Sequence, residues 1–407
     1  MEGAPGSVNA LAPFVGAAGA SAGPPRPGPA RRRVLLVIKG LGYGGAERLL
    51  ADTVAARDRA RFDYEVAYVL AAQDALVPSL VASGVPVHSL GATANSDLSW
   101  MARLRSLLTA RRYDIVHTHL PYPATLGRLV VASLPAGRRP AVVYTEHSMW
   151  DKMALGLRPV NRATIGLDDR LLVVSEAARQ ALPRRLRSRA QVVIHGIDRA
   201  PLRRLEDQRA ELRRDVRDEL AVPEGQLLAL TVANLRPEKG YDVLLRAARM
   251  VTDRGAPVRF AAAGLGPLDR ELADQRSELE LGPRFVFLGR RLDVPRLLCG
   301  ADLFVLASRQ EGLPVSVMEA ASLGVPLVVT AVGGLPRTFT DGTDALVVRS
   351  EDPRALADAV VRLAGDPGLR SHLADGARRR ADLFDVARSA AEVEAVYDEV
   401  SPGPGVR

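Results

Sequence analysis

The chain has 407 residues, 47% apolar and 25% charged, which is too long for one ordinary α/β domain and suits two with full cores. Its single cysteine, Cys299, excludes a disulfide scaffold and a Cys-clustered zinc site, and no apolar run reaches the roughly 18 residues of a membrane-crossing helix. Net charge is +8 but uneven: residues 1–200 carry 26 Lys and Arg against 15 Asp and Glu, and residues 201–407 carry 29 against 32.

A basic first half favours an anionic partner such as a membrane surface, a polyphosphate or a nucleic acid. Compositional bias is the competing explanation, since only Lys39, Lys152 and Lys239 among 55 cations are lysine. Residues 1–33 are rich in Ala, Gly and Pro, lack the layout of a secretory signal and read as a disordered tail.

From residue 34 onward, strands and helices alternate in the βα order of a parallel sheet covered on both faces. Strands are predicted at Val34–Ile38, Phe62–Leu70, Val85–Leu90, Ile115–His117, Ala141–Thr145, Leu171–Val174 and Gln191–Ile194. Helices are predicted at Ala46–Ala56, Leu98–Ala110 and Glu176–Leu182. The first strand runs into Gly40-Leu41-Gly42-Tyr43-Gly44-Gly45, which formally matches a dinucleotide fingerprint. An NAD(P)-dependent oxidoreductase is therefore one reading. It lacks the acidic residue expected at the end of the second strand, where Ala71-Ala72-Gln73 stands and Asp74 comes late, in the next predicted helix. The same glycines could instead bring helix N-terminal amides to a phosphate or sugar at a cleft, or simply let the chain turn close to the sheet.

After the polar stretch Pro201–Glu219 the alternation restarts, with strands at Leu227–Ala233, Arg259–Ala263, Phe285–Leu288, Leu303–Leu306, Leu327–Thr330 and Ala345–Val348. This places a first domain at 34–197 and a second at 198–382. A last helix, Val386–Val400, follows the completed second domain, and residues 383–401 are expected to cross back onto the first.

The second half carries the stronger chemistry. Strand Leu227–Ala233 ends in Asn234-Leu235-Arg236-Pro237-Glu238-Lys239-Gly240, two cations at a strand's C-terminal end, where open α/β sheets bind ligands. Arg236 as a fork and Lys239 as a point charge suit a diphosphate. Gly264 and Gly266 end another strand and would allow close backbone approach. In the stretch from Ala307 to Ala320, Glu311 stands in a loop, Pro314 opens a helix, and Glu319 lies about a turn inside it. The free amides at Leu313, Pro314-flanked Val315 and Ser316 form a helix tip with a positive dipole end, a ready phosphate site. Carboxylates on either side of such a tip can accept from vicinal hydroxyls at both ends of an extended ligand. A diphosphate with a hydroxylated ring on each side, a nucleotide sugar, would satisfy the whole set.

From Arg33 to about Val400 the chain resembles the family 4 (GT4) retaining glycosyltransferases of GT-B fold. The resemblance rests on Gly44-Gly45-Ala46-Glu47, Asp114 to His119, Thr145-Glu146-His147-Ser148, Val174-Ser175-Glu176, His195-Gly196-Ile197-Asp198, Arg236 to Gly240, the E-x7-E pair Glu311 and Glu319, Val332-Gly333-Gly334 and Asp341-Gly342. It implies two Rossmann-like doubly wound domains facing a central cleft, the first for the acceptor and the second for the donor. Glu311 would contact the transferred sugar, Glu319 the ribose, and Arg236 and Lys239 the diphosphate. His147 would face the anomeric region, with Gly44, Gly45 and His119 also lining the cleft and His117 structural. The implied donor is a UDP-sugar, with no metal or other cofactor and no nucleic-acid partner. There is no Asp-x-Asp in the chain.

An acceptor that is a sugar or lipid-linked cell-envelope glycan, and a cytoplasmic place peripheral to the inner membrane face, follow as expectations. The chain departs from the family pattern at Asn234, where an arginine is common, at Leu335-Pro336-Arg337, at Ala345, and at His195, where an asparagine is common. A GT-B sugar-nucleotide epimerase and a catalytically silent sugar-nucleotide-binding protein are the remaining alternatives.

Overall fold

The computed structural model describes residues 31–147, 150, 153 and 156–401. Nearly all of the expected tail, and Ser148 of the Thr-Glu-His-Ser motif, lie outside them. Among the described residues, β1 (Arg32–Ile38), β2 (Phe62–Leu70), β3 (Val87–Ala92), β4 (Ile115–His119), β5 (Ala141–Glu146), β6 (Arg170–Val173) and β7 (Ala190–Val192) form one parallel sheet. Its order is β3-β2-β1-β4-β5-β6-β7. A second parallel sheet holds β8 (Leu227–Val232), β9 (Val258–Ala263), β10 (Phe285–Phe287), β11 (Leu303–Leu306), β12 (Leu327–Thr330) and β13 (Leu346–Val348) in the order β10-β9-β8-β11-β12-β13. These are the two expected doubly wound sheets.

Their near-continuous apolar strands follow from burial on both faces. Val34–Ile38 of β1 and all of β11 are buried, because helices cover the sheets from either side. In each sheet the chain reverses direction beside its first strand, between β1 and β4 and between β8 and β11. The crevice at such a reversal is where ligands meet the carboxyl ends of the strands.

The last helix, Val386–Val400, docks on the first sheet. Val393, Val396 and Tyr397 join the core of β1 and β2, and Tyr397 packs edge-on against Phe62 and Tyr64 at ring-centroid distances of 5.7 and 6.2 Å. Its polar side is tied down by Arg32 and Arg61 on Asp398, and by the Asp58 amide donating to Glu394 at 2.9 Å.

Two local expectations are corrected, and one stretch that carried no assignment proves helical. The third strand begins at Val87 rather than Val85. Pro86 has no N–H to offer a ladder and contributes only its carbonyl to Val66, while Val85 fills the core. The polar stretch after residue 200 is helical, as Ala200–Glu206 and Arg209–Glu219. Leu202 and Val216 anchor those helices, and Arg213 and Arg217 both reach Asp302, at 2.5 and 2.9 Å. Asp74 stands in the turn before helix Val77–Ala82, not inside it.

Candidate functional site

The site is built from loops at the carboxyl ends of β8, β11 and β12. After β11, the chain leaves the sheet at Ala307 and Ser308 and enters helix Val315–Ser322 through Pro314, whose backbone is extended (ψ 136°). Val317 and Met318 donate the first helical bonds to the Pro314 carbonyl, so the amides of Val315 and Ser316 precede the ladder and stay available at the tip. Ser316 Oγ donates to the Val232 carbonyl at 2.9 Å, fastening that tip to the end of β8.

Glu311 sits in the loop and is buried. Lys239 Nζ donates to both of its carboxylate oxygens at 2.8 Å, and Ser308 Oγ donates to Oε1 at 2.6 Å. A lysine ammonium has three N–H donors, so this grip leaves one for another anion. Lys239 therefore organises Glu311 as well as standing at the expected diphosphate position. Ser308 carried no role in the sequence reading; its signal was only that it lies three residues before Glu311 in the same loop.

Two turns brace that loop. Arg309 donates its amide to the Glu238 carbonyl at 2.9 Å, and its guanidinium bonds Asp242 and Glu351, making it a structural cation. On the other side, Gly333 has a φ of +57°, and a Cβ there would overlap the Glu311 carbonyl oxygen. The next amide, of Gly334, donates to the Gly312 carbonyl at 2.8 Å.

Gly333→Ala is expected to push the Glu311 backbone out of place. The expected result is a loss of about a hundredfold in kcat and of about 1–3 kcal/mol in stability. Gly342→Ala is the control. Its φ is also positive, at +73°, but a Cβ there meets nothing within 4 Å, so stability should fall without loss of kcat. Chemical denaturation and initial rates on both variants check this.

Arg236 is exposed and its guanidinium has no partner among the described residues, so it is free to meet a ligand. Gly264 and Gly266 pack the β9 loop onto the β8 loop. A Cβ at either would overlap the carbonyl of Ala233 or of Leu235.

Glu319 is buried in the first turns of its helix. Burial pushes its carboxyl up to about 7, with Arg48 pulling the other way. Arg48 belongs to helix Gly45–Ala55 of the first domain, where Gly44 is the N-cap. Its Nε donates to Asp52 at 3.0 Å, and Glu319 and Asp198 both favour its charge. Arg48 follows directly on Gly-Gly-Ala-Glu, but no spacing rule marks it as a partner for a residue in the other sheet. The two domains meet here: a Cβ on Gly45 would lie 3.8 Å from Val315 Cγ2, and one on Gly312 would lie 3.2 Å from the His147 carbonyl.

Four of the six histidines cluster at the carboxyl ends of β4, β5 and β7. His117, expected to be structural, is held by Thr145 Oγ1 at 2.7 Å and by Tyr397 OH at 2.6 Å. His119 was expected to line the cleft. It is buried, and its Nδ1 meets His147 Nε2 at 3.0 Å, so it reaches the cleft only through His147. His147 is half-buried beside Gly312, and His195 stacks on it at 5.3 Å with the rings 19° from parallel. Burial holds His117, His119 and His147 well below the ordinary histidine range and takes His195 to about 4. His195 registered in the sequence only as a departure from a family pattern. Among the described residues no group of three or more His, Cys, Asp or Glu side chains is placed to hold a metal ion.

Two parallel-sheet domains with facing carboxyl ends, a carboxylate–lysine pair and a helix tip define the GT-B class of sugar-transferring folds. The solved structure of Anabaena HepE, in complex with UDP and glucose, superposes with a TM-score of 0.76 over 91% of this chain and all of that one, at 21% identity, a likeness of fold. The family described as "Glycosyltransferase Family 4" matches residues 43–200, and that described as "Glycosyl transferases group 1" matches residues 212–380. The chain belongs to the family 4, group 1 glycosyltransferases. It is 29% identical to a D-inositol 3-phosphate glycosyltransferase of Salinispora arenicola, over 92% of this chain and 93% of that one. It is 24% identical to a UDP-Gal:alpha-D-GlcNAc-diphosphoundecaprenol alpha-1,3-galactosyltransferase of Escherichia coli, over 80% and 85%. It is a glycosyltransferase enzyme using a nucleotide-sugar donor, and the oxidoreductase reading of Gly40–Gly45 falls.

Proposed function

We propose that the protein transfers a hexose from a UDP-sugar to an anionic acceptor, with retention of anomeric configuration. The observation that carries this reading is the convergence of Glu311, Lys239, Glu319 and the Val315–Ser316 amides on one crevice at the carboxyl ends of the second sheet. Glu311 holds hydroxyls of the transferred sugar and Glu319 those of the ribose. Lys239, Arg236 and the amides at Leu313, Val315 and Ser316 around Pro314 stabilise the diphosphate as its charge develops. The anomeric carbon–oxygen bond to the phosphate breaks, a bond to the acceptor oxygen forms on the same face, and the acceptor's proton passes to the departing phosphate. His147, Gly44 and Gly45 close the crevice from the first domain, and Gly264 and Gly266 let backbone approach the donor. Closure excludes water and suppresses hydrolysis.

UDP is supported by the Anabaena structure and by the donor in the E. coli relative's name. The compounds in the names of these two relatives, D-inositol 3-phosphate and alpha-D-GlcNAc-diphosphoundecaprenol, are anionic, which matches the positive balance of residues 1–200. A lipid-linked acceptor and a peripheral contact with the inner membrane face belong to the same reading. The first domain exposes Leu129, Val160 and Leu167, and Arg138, Arg139 and Arg162 are exposed on the same stretch of chain. Among the described residues no helix is long and apolar enough to cross a membrane.

The experiment is a donor panel. Release of UDP, GDP or ADP from several nucleotide sugars is measured with phosphorylated polyols and lipid-linked acceptors, and the product's anomeric configuration is read by NMR. UDP release that depends on an anionic acceptor supports the proposal. Preference for GDP or ADP donors, for neutral acceptors, or an inverted product overturns the corresponding part.

A further inference from the structure

The geometry points to His119 as a positioning residue that locks His147 in the tautomer carrying its proton on Nδ1, so that His147 meets the reacting sugars as a hydrogen-bond donor and not as a base. This deepens the reading above and rests on it for the identity of the group His147 meets.

His119 Nδ1 and His147 Nε2 are 3.0 Å apart, so one proton lies between them. Both rings are neutral near pH 7, because burial disfavours the imidazolium and the charged-group neighbours acting on each are other imidazoles. Two neutral rings carry two protons over four nitrogens, which leaves two arrangements. In the first, His119 donates from Nδ1. Its Nε2 is then a bare lone pair, and His147 carries its proton on Nδ1. In the second, His147 donates from Nε2, and His119 must carry its proton on Nε2.

The surroundings separate the two. His119 Nε2 is buried and has no hydrogen-bond partner among the described residues. The second arrangement would therefore bury an N–H with no acceptor, which folded proteins avoid more strictly than an unfilled acceptor. The first leaves only a lone pair there and turns the His147 Nδ1–H outward. His147 is the one residue of the four that is half-buried rather than buried, which leaves room for that donor to meet the crevice.

His195 completes the arrangement. Its ring covers one face of His147, while its own two nitrogens are buried without partners among the described residues and compete for neither nitrogen of His147. An asparagine at 195 would bring an amide with both donor and acceptor groups to this spot; the imidazole brings a flat face. A His147 that already holds its proton on the outward nitrogen cannot take the acceptor's proton without becoming an imidazolium, which burial opposes. That proton must go to the leaving phosphate.

The direct test is two-bond 1H–15N correlation on full-length protein labelled at histidine. The chain has only six, and His147→Gln and His119→Asn assign the two signals. The proposal expects a protonated Nδ1 on both His119 and His147 at neutral pH. A protonated Nε2 on His147, or an imidazolium there, overturns it.

A kinetic arm separates positioning from mere packing. His119→Asn keeps an amide donor close to the original Nδ1, while His119→Phe fills the space without one. His119→Phe should lower kcat about 10–100-fold with little change in KM for the donor, and should move the His147 proton to Nε2. His119→Asn should recover most of kcat and retain the tautomer. Equal losses in the two variants, with the His147 signal unchanged, overturn the positioning role. Should the donor panel show no transfer while the wild-type spectrum holds, the functional reading fails and the tautomer assignment stands.

Discussion

Glu311→Ala is expected to abolish sugar transfer while the protein remains folded. Glu311 is buried and receives three hydrogen bonds, two from Lys239 and one from Ser308. A carboxylate satisfied this well has a fixed position, and fixed acceptors for the hydroxyls of a reacting sugar act without reorganising during the reaction. Losing it should cost at least about 10³ in kcat. The structural cost is smaller, since the Lys239 side chain is 21% exposed and its ammonium can rehydrate when its partner is removed.

Lys239→Ala is the harsher change for the fold. It leaves Glu311, whose side chain is 6% exposed, with Ser308 as its hydroxyl donor and no cation. Removing one partner of a buried pair costs about 3–5 kcal/mol at full burial, and less here. Transfer should again be lost, because the charge beside the diphosphate is gone as well as the brace on Glu311. Nucleoside-diphosphate release, read alongside circular-dichroism melts, checks both variants. Full activity in both would refute the site assignment.

Glu319→Gln should gain stability as it loses donor affinity, and should do so only at the alkaline end. The Glu319 carboxyl is raised from its ordinary 4.5 to about 7 by burial. Between those values the folded protein binds the proton that the unfolded chain has released. Folding stability contributed by this group therefore falls as pH rises through the window. Below about 4.5 both states are protonated and there is no penalty. Above about 7 the penalty is complete, at about 3 kcal/mol for a shift of this size.

Glutamine has the shape without the charge. The Tm of Glu319→Gln should exceed that of the parent at pH 8 and converge with it near pH 5. The donor KM should rise, since the amide presents one acceptor oxygen where the carboxylate presents two. An equal Tm difference at both pH values would show that the buried charge carries no cost in the folded protein. A site residue that weakens the fold is the expected trade between stability and function.

The donor-side motif was legible because it is local. Glu311, Pro314 and Glu319 all lie on one strand–loop–helix passage, and a helix start fixes the direction of each side chain from its spacing alone. The strand–helix alternation was legible for the same reason, apart from errors where a local rule was overridden. Pro86 trimmed a strand that hydrophobicity alone would start at Val85. In the charge-dense stretch after residue 200, two apolar anchors, Leu202 and Val216, dock two helices.

The glycine run at 40–45 shows a limit of another kind. A tight turn into a helix at the mouth of a parallel sheet serves a nicotinamide dinucleotide and a nucleotide sugar equally well. The motif therefore reports backbone geometry and not the ligand.

By itself, the sequence determined the order of elements, the two parallel sheets and the placing of Glu311, Pro314 and Glu319 on one loop and helix start, because hydrophobic period and motif spacing act over one or two turns of chain. Only the tertiary structure decided that Lys239 holds Glu311 across 72 residues, that Arg48 of one domain faces Glu319 of the other, and that His119 bonds the edge of His147 while His195 stacks on its face. Those contacts exist because the switch points of two sheets are brought face to face, and because a helix from the far end of the chain packs its Tyr397 beneath His117. Docking of that kind depends on the shape of whole buried surfaces, which no short stretch of residues encodes.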